Sequence, residues 1–349
     1  MSKSRRRWIL ALARFSHHVA RRSAPVGRRT DRFNQLVPWP IRLLMVVAVG
    51  GGIVYSGVLE HLVVTAWVAS LKVRGAAPDC PWGSVATFYS DLQGFSGRVE
   101  LHTNQLEVKQ YDQALDIQLI SHPARNYWIR KGGSYPGLNL LGYHLAEHDW
   151  LAYRNAGKSV RPGDIVLDCG AHVGVFVDRA LSLGAARVIA IDPDPTQIEC
   201  LRRNFATEIS EGRVTVAPKG VWSSEGTMTL NIGSMHSGVS SLVGEAGEET
   251  IEVPALRIDL LVEELGLPRV DFIKLDIEGA ESEALRGAVE VLKKYRPRLM
   301  IDSYHRPDDS VVLSEIIVGA QPDYKSSCGF CDFSEKNESG LIPHTVFYE

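Results

Sequence analysis

From Asp164 to Asp302 the sequence repeats one pattern: a short apolar run, a turn, then a stretch with helical spacing. The runs are Asp164–Asp168, Arg187–Ile191, Arg213–Ala217, Val270–Leu275 and Arg298–Asp302. Each is short and largely aliphatic, which favours a buried strand over a helix. Val175–Leu183, Pro195 to about Ala206, Asp259–Leu265 and Ala280–Lys293 read as helices, with Pro195 at an early helical position. Thr227–Asn231 and Thr250–Val253 read as additional strands around a Gly/Ser loop. Strands alternating with helices imply an α/β fold, a mostly parallel, doubly wound sheet covered on both faces. In such sheets the ligand sits at the carboxyl ends of the strands, near the topological switch point.

The residues just after each strand therefore carry the functional argument. Asp168-Cys-Gly170-Ala-His172-Val-Gly174 follows the first strand and opens a helix. The glycines permit positive φ and close backbone approach. Their spacing is not the Gly-x-Gly-x-x-Gly that lets a pyrophosphate reach a helix N-terminus. Asp168 is poorly placed to welcome a pyrophosphate but suits a cationic amino-acid ligand. Asp192 ends the second strand, where an acid accepts ribose hydroxyls in this layout. A cationic amino-acid moiety joined to a ribose describes S-adenosylmethionine (SAM) rather than NAD. The cofactor-side candidates are Asp168, Gly170, His172, Gly174, Asp192 and, after the third strand, Gly220.

On the reaction side, the fourth strand runs into Lys274-Leu-Asp276-Ile-Glu278-Gly-Ala-Glu281. Asp276 is the first candidate for a base or acceptor-orienting group, with Glu278 second. Glu281 reads as a helix-start acid, favoured by the positive end of the dipole. Lys274, inside an apolar strand, either neutralises Asp168 or Asp276 or snorkels to solvent. His305, after the fifth strand, is a candidate proton acceptor. The Ser/Gly loop at 233–241, with His236, could close over an acceptor. No metal is expected: Asp276 lacks an evident companion carboxylate, and Cys328-Gly-Phe-Cys331 is half a zinc site at most.

Residues 1–42 carry ten Arg and one Lys against a single acid, leaving the rest of the chain at −13. An acidic body disfavours nucleic acid as substrate. Leu43–Leu59 is uncharged, and so is Leu62–Leu71. As a helix the first run would span roughly 26 Å at ~1.5 Å per residue, close to the ~30 Å of a bilayer core. Residues 43–71 are thus expected as a membrane-associated or transmembrane segment, or else a buried helix or targeting stretch. Because SAM is cytosolic, membrane association with a catalytic domain on the cytoplasmic side is the expected localisation. Residues 75–140 read as a small α+β pre-domain, with Arg98–Leu106 and Leu115–Ile120 as strands and Leu145–Ala156 as a helix before the main domain, 141–349. Five scattered cysteines suggest a reducing compartment rather than a disulfide framework.

The motif order resembles the FkbM family of SAM-dependent methyltransferases. The matching segments are Val166–Phe176, Ile191-Asp-Pro-Asp-Pro195, Gly238-Val-Ser-Ser-Leu242, Asp271–Glu281 and His344-Thr-Val-Phe-Tyr348. Asp192 stands where the family more often has Glu, and His172 where Asn is common. The resemblance implies a Rossmann-like class I methyltransferase that methylates a hydroxyl on a small molecule, glycan or lipid-linked substrate. An NAD(P)-dependent oxidoreductase and a non-catalytic, membrane-anchored methyltransferase-like module are the competing readings.

Overall fold

The structure is a computed structural model that describes residues 57–75, 77, 79–131, 137–154, 157–232, 240–242, 249–333 and 341–349. Two helices come first, α1 (Gly57–Val73) and α2 (Trp82–Asn104). A three-stranded antiparallel sheet follows, of β1 (Glu107–Asp112), β2 (Ile117–Ser121) and β3 (Tyr127–Arg130), then α3 (Gly137–Arg154). The alternating region opens with β4 (Ile165–Cys169), α4 (Val175–Ser182), β5 (Arg187–Ile191), α5 (Pro195–Asn204), α6 (Ala206–Ser210) and β6 (Val214–Ala217). A side sheet joins β7 (Gly220–Val221), β8 (Gly226–Ile232), β9 (Ser240–Ser241) and β10 (Glu249–Leu256). Next come α7 (Ile258–Glu264), β11 (Phe272–Leu275), α8 (Glu281–Arg286), α9 (Val289–Tyr295), β12 (Arg298–Asp302) and α10 (Asp309–Ala320). The hairpin of β13 (Ser326–Phe333) and β14 (Leu341–Tyr348) ends the chain.

The main sheet has seven strands in the order β13-β14-β12-β11-β4-β5-β6. The five strands from β12 to β6 are parallel, and β14 runs antiparallel to β12. This is the mostly parallel, doubly wound α/β arrangement that the alternation predicts. From β4 the chain winds one way to β6, and from β11 the other way to β12, so the switch point lies between β4 and β11. Alternate residues of each strand bury opposite faces. Leu167, Ile189, Ile273 and Leu299 pack on one side with Ile258, Leu285 and Leu292. Val166, Val188, Phe272 and Met300 pack on the other with Phe176, Leu201 and Phe205. Burial on both faces is why the strands read as continuous apolar runs.

Several expectations are corrected. Arg98–Leu106 is not a strand: residues up to Asn104 belong to α2. The apolar positions Val85, Phe88, Leu92, Phe95 and Val99 recur three and four apart; the first four pack into core clusters and Val99 is buried. The last nine residues alone hide that longer period. Ala280–Lys293 splits into α8 and α9 at Gly287, where a side chain would overlap the Trp222 carbonyl. Residues 43–56 of the apolar run lie outside the described residues. Its second half belongs to α1, whose Val68 packs with Val85, Phe88 and Leu341. Among the described residues no helix is long and apolar enough to cross a membrane.

The cysteine expectation also fails. Cys80 and Cys331 form a disulfide across 251 residues of sequence, so Cys331 is not a zinc ligand. The bond ties the start of α2 to β13, and Cys328 lies with its sulfur 3.5 Å from that of Cys331. The small antiparallel sheet is bound to the main one by polar contacts. The Trp128 amide donates to Asn204 Oδ1 (2.6 Å), and Arg130 pairs with Asp194 (2.8 Å).

Candidate active site

The glycine turn folds back over the end of β5: the amides of Gly170 and Ala171 both donate to the Ile191 carbonyl (3.0 Å each). Gly170 and Gly174 have φ of 81° and 91°, and both are sterically required. A Cβ on Gly170 would overlap the Asp276 carbonyl oxygen, and one on Gly174 would overlap the Phe205 ring. The same turn places His172 at φ 50°, with its amide donating to Asp192 Oδ2 (2.9 Å). Asp192 Oδ1 accepts from the Asp194 amide (2.9 Å). Each Asp192 oxygen has a further lone pair to offer. Burial raises the Asp192 carboxyl to about 7, despite the lowering effect of the Asp194 amide.

Asp168 is fully buried at the end of β4, and among the described residues neither of its carboxylate oxygens accepts a hydrogen bond. Burial pushes its pKa up to about 6, against the pull of Lys274. Lys274 is also buried, so it does not snorkel. Its Nζ donates to the Gly170 carbonyl (2.8 Å) and lies 3.5 Å from Asp168 and 3.4 Å from Asp276. One ammonium thus holds the glycine turn, the first strand's acid and the fourth strand's acid together. The orphaned Asp168 oxygens, the Asp192 carboxylate and the side-chain-free Gly170 fit a ligand with a cationic amino-acid end and a ribose, as SAM has. Gly220 is not joined to this group: it packs in the side sheet against Leu242 and Ala255. His236 and the rest of 233–239 lie outside the described residues.

Across the switch point, the Asp276 amide donates to the Cys169 carbonyl (3.2 Å), so the β4 and β11 loops touch. Burial works to raise the Asp276 carboxyl, but Lys274 and His305 hold it well below the usual range. Glu278 follows at φ 56°. Glu281 is not a solvated helix-start acid: it is fully buried, and its Oε1 takes hydrogen bonds from the Ile277 amide (2.9 Å) and from His305 Nδ1 (2.8 Å). That bond aims His305 Nε2 at Asp276 (3.8 Å) and Glu278 (3.6 Å). Burial lowers the His305 pKa, but Glu281 and the two other carboxylates outweigh it and raise it to about 10. The three carboxylates therefore favour the protonated imidazole, which works against the proton-acceptor role expected from its position. Asp276, Glu278 and His305 do converge, so the companion groups that the sequence did not reveal for Asp276 exist.

Helix α3 covers this edge with residues that the strand-end reasoning missed. Its His144 ring lies 5.3 Å from the His172 ring. Glu147 and Asp302 are buried together with His344. Burial pushes His148 down to about 4 and Tyr143 well up, so both are neutral. The signal lay in the spacing: Tyr143 and Glu147, and His144 and His148, are polar pairs four apart in one helix.

Comparison with known proteins agrees with this architecture. Residues 168–330 match the family model of the methyltransferase FkbM domain. The 31-O-demethyl-FK506 methyltransferase FkbM of Streptomyces tacrolimicus is 28% identical over 47% of this chain and 74% of its own length. The 2-O-methyltransferase NoeI of Sinorhizobium fredii is 28% identical over 39% of this chain and 62% of its own. A crystal structure of methyltransferase FkbM from Methylobacillus flagellatus aligns over 76% of this chain and 62% of its own, with 17% identity and a TM-score of 0.41. The chain spans 52% to 74% of the length of the first curated relatives it matches. Residues 168–330 are thus similar to the methyltransferase FkbM domain.

Proposed function

We propose that this chain transfers the methyl group of SAM to a hydroxyl oxygen of a small molecule or glycan. The observation that carries the reading is the convergence at the switch point, where buried Lys274 ties the Asp168–Gly174 turn to Asp276. Bound SAM supplies an electrophilic methyl group on a sulfonium. Asp192 would accept the ribose hydroxyls, Asp168 would lend negative charge to the amino-acid end, and Gly170 would admit it closely. Asp276 would accept the acceptor's hydroxyl hydrogen and aim its oxygen, the alignment that an in-line displacement needs. The hydroxyl acceptor is supported by relatives whose own names specify O-methylation.

Labelled SAM incubated with small-molecule and glycan extracts tests the reading, alongside Asp192→Ala and Asp276→Ala. We expect label in an alkali-stable ether, with both variants reduced at least 100-fold. Incorporation unchanged in both variants would overturn the assignment. NAD(H) binding without SAM binding would favour the oxidoreductase instead.

A further inference from the structure

We propose that Asp276, Glu278 and His305 form a binding site for a divalent first-row metal ion, placed to take hydroxyls of the acceptor. The ion-binding half of this inference stands on geometry alone; its use on an acceptor rests on the methyltransferase reading.

His305 supplies the main observation. Its side chain is 1% exposed, and among the described residues Nε2 makes no hydrogen bond. It still points between two carboxylates, at 3.6 Å from Glu278 Oε2 and 3.8 Å from Asp276 Oδ1. A charged N–H in direct contact with a carboxylate would sit at about 2.7–2.9 Å. Ligand atoms each ~2.1 Å from one metal ion lie roughly 3.0–3.4 Å apart, depending on geometry. The observed separations exceed any hydrogen bond but come within a few tenths of an ångström of such an edge. All three ligand atoms lie within 4.8 Å of one another.

The surroundings are those of a metal-binding imidazole. Nδ1 is engaged by the fully buried Glu281 carboxylate (2.8 Å), the outer partner that fixes tautomer and ring orientation when the other nitrogen ligates. Glu281 is itself held by the Ile277 amide. A bound cation would take the place of the proton on Nε2. The Asp276 oxygen facing His305 is Oδ1, whereas Lys274 engages Oδ2, so one oxygen stays available to an ion. Asp276 and Glu278 are both half-buried and flank the carboxyl end of the sheet. The protein offers three ligands, so open positions remain for substrate hydroxyls or water. One imidazole with two carboxylates suits Mn²⁺, Fe²⁺ or Zn²⁺ better than Ca²⁺. The second buried trio, Glu147, Asp302 and His344, differs: Asp302 accepts the Thr345 hydroxyl (2.7 Å), and all three are closed off from solvent.

Mn²⁺ alone is the probe, added to metal-free full-length protein without SAM or acceptor and followed by electron paramagnetic resonance. We expect one Mn²⁺ per chain, with nitrogen coupling from a directly bound imidazole. Glu278→Gln should weaken Mn²⁺ binding by roughly tenfold or more in a protein that still unfolds cooperatively without metal. Glu147→Gln should leave the affinity unchanged. No stoichiometric binding, no nitrogen coupling, or affinity unchanged in a folded Glu278→Gln would each overturn the site. SAM titration of the same metal-free protein separates the two ideas. SAM binding without Mn²⁺ binding sinks only the metal site, and the reverse sinks only the methyltransferase reading.

Discussion

Asp192 links stability to the proposed cofactor binding. Its carboxyl is raised to about 7 by burial, far above the ~3.9 of an exposed Asp. Because the folded state holds this proton more tightly than the unfolded chain, the contribution to stability is complete at low pH. It is lost as pH rises through the folded value of about 7. Ribose binding has the opposite need, since only the carboxylate accepts two hydroxyl hydrogens. SAM affinity should therefore rise as pH increases toward 7, by up to about tenfold per unit, and level off above it. Calorimetric titration between pH 5.5 and 8.5 checks this, with proton release on binding near pH 6.5 as the second readout. Gly170 makes a simpler prediction. At φ 81°, with a carbonyl where a Cβ would go, Gly170→Ala should cost roughly 2 kcal/mol or more. It should also weaken SAM binding, because the turn cannot keep its contact with the Asp276 loop. Urea denaturation and SAM titration measure the two effects.

Among the elements, α2 and the β13–β14 hairpin behave as one unit because Cys80 and Cys331 join them. A crosslink over so long a loop stabilises chiefly by restricting the unfolded chain, by about 2–5 kcal/mol. Reduction should therefore lower the urea midpoint, and Cys80→Ser should match the reduced wild type. Equal midpoints with and without reductant would show that the link contributes nothing. The elements also explain what a local reading can see. β4, β5 and β11 were legible because strands buried on both faces are largely apolar. Helix α2 was misread at its end, since a nine-residue window that alternates by chance looks like a strand. The break between α8 and α9 was not legible at all: Gly287 is required by the Trp222 carbonyl, which arrives from a loop far away in sequence.

For the whole molecule, the proposed ligand should act as a thermodynamic brace. SAM at 100 times its dissociation constant should add ~2.7 kcal/mol to folding stability, a shift of several degrees in Tm. Asp192→Ala should abolish that shift, whereas NAD should produce none in either protein; differential scanning calorimetry reads both. What the sequence determined by itself was the α/β order, the glycine turn, and the acids at strand ends. Periodicity and turn chemistry are local properties, and a parallel sheet places every strand end at one edge. Only the tertiary structure decided the rest. It paired Glu281 with His305 across 24 residues, set Lys274 between Asp168 and Asp276, and laid α3 over the edge. It also brought Cys80 to Cys331. These depend on which strands are neighbours, and a sheet whose order is not the chain's order brings together residues that no local pattern connects.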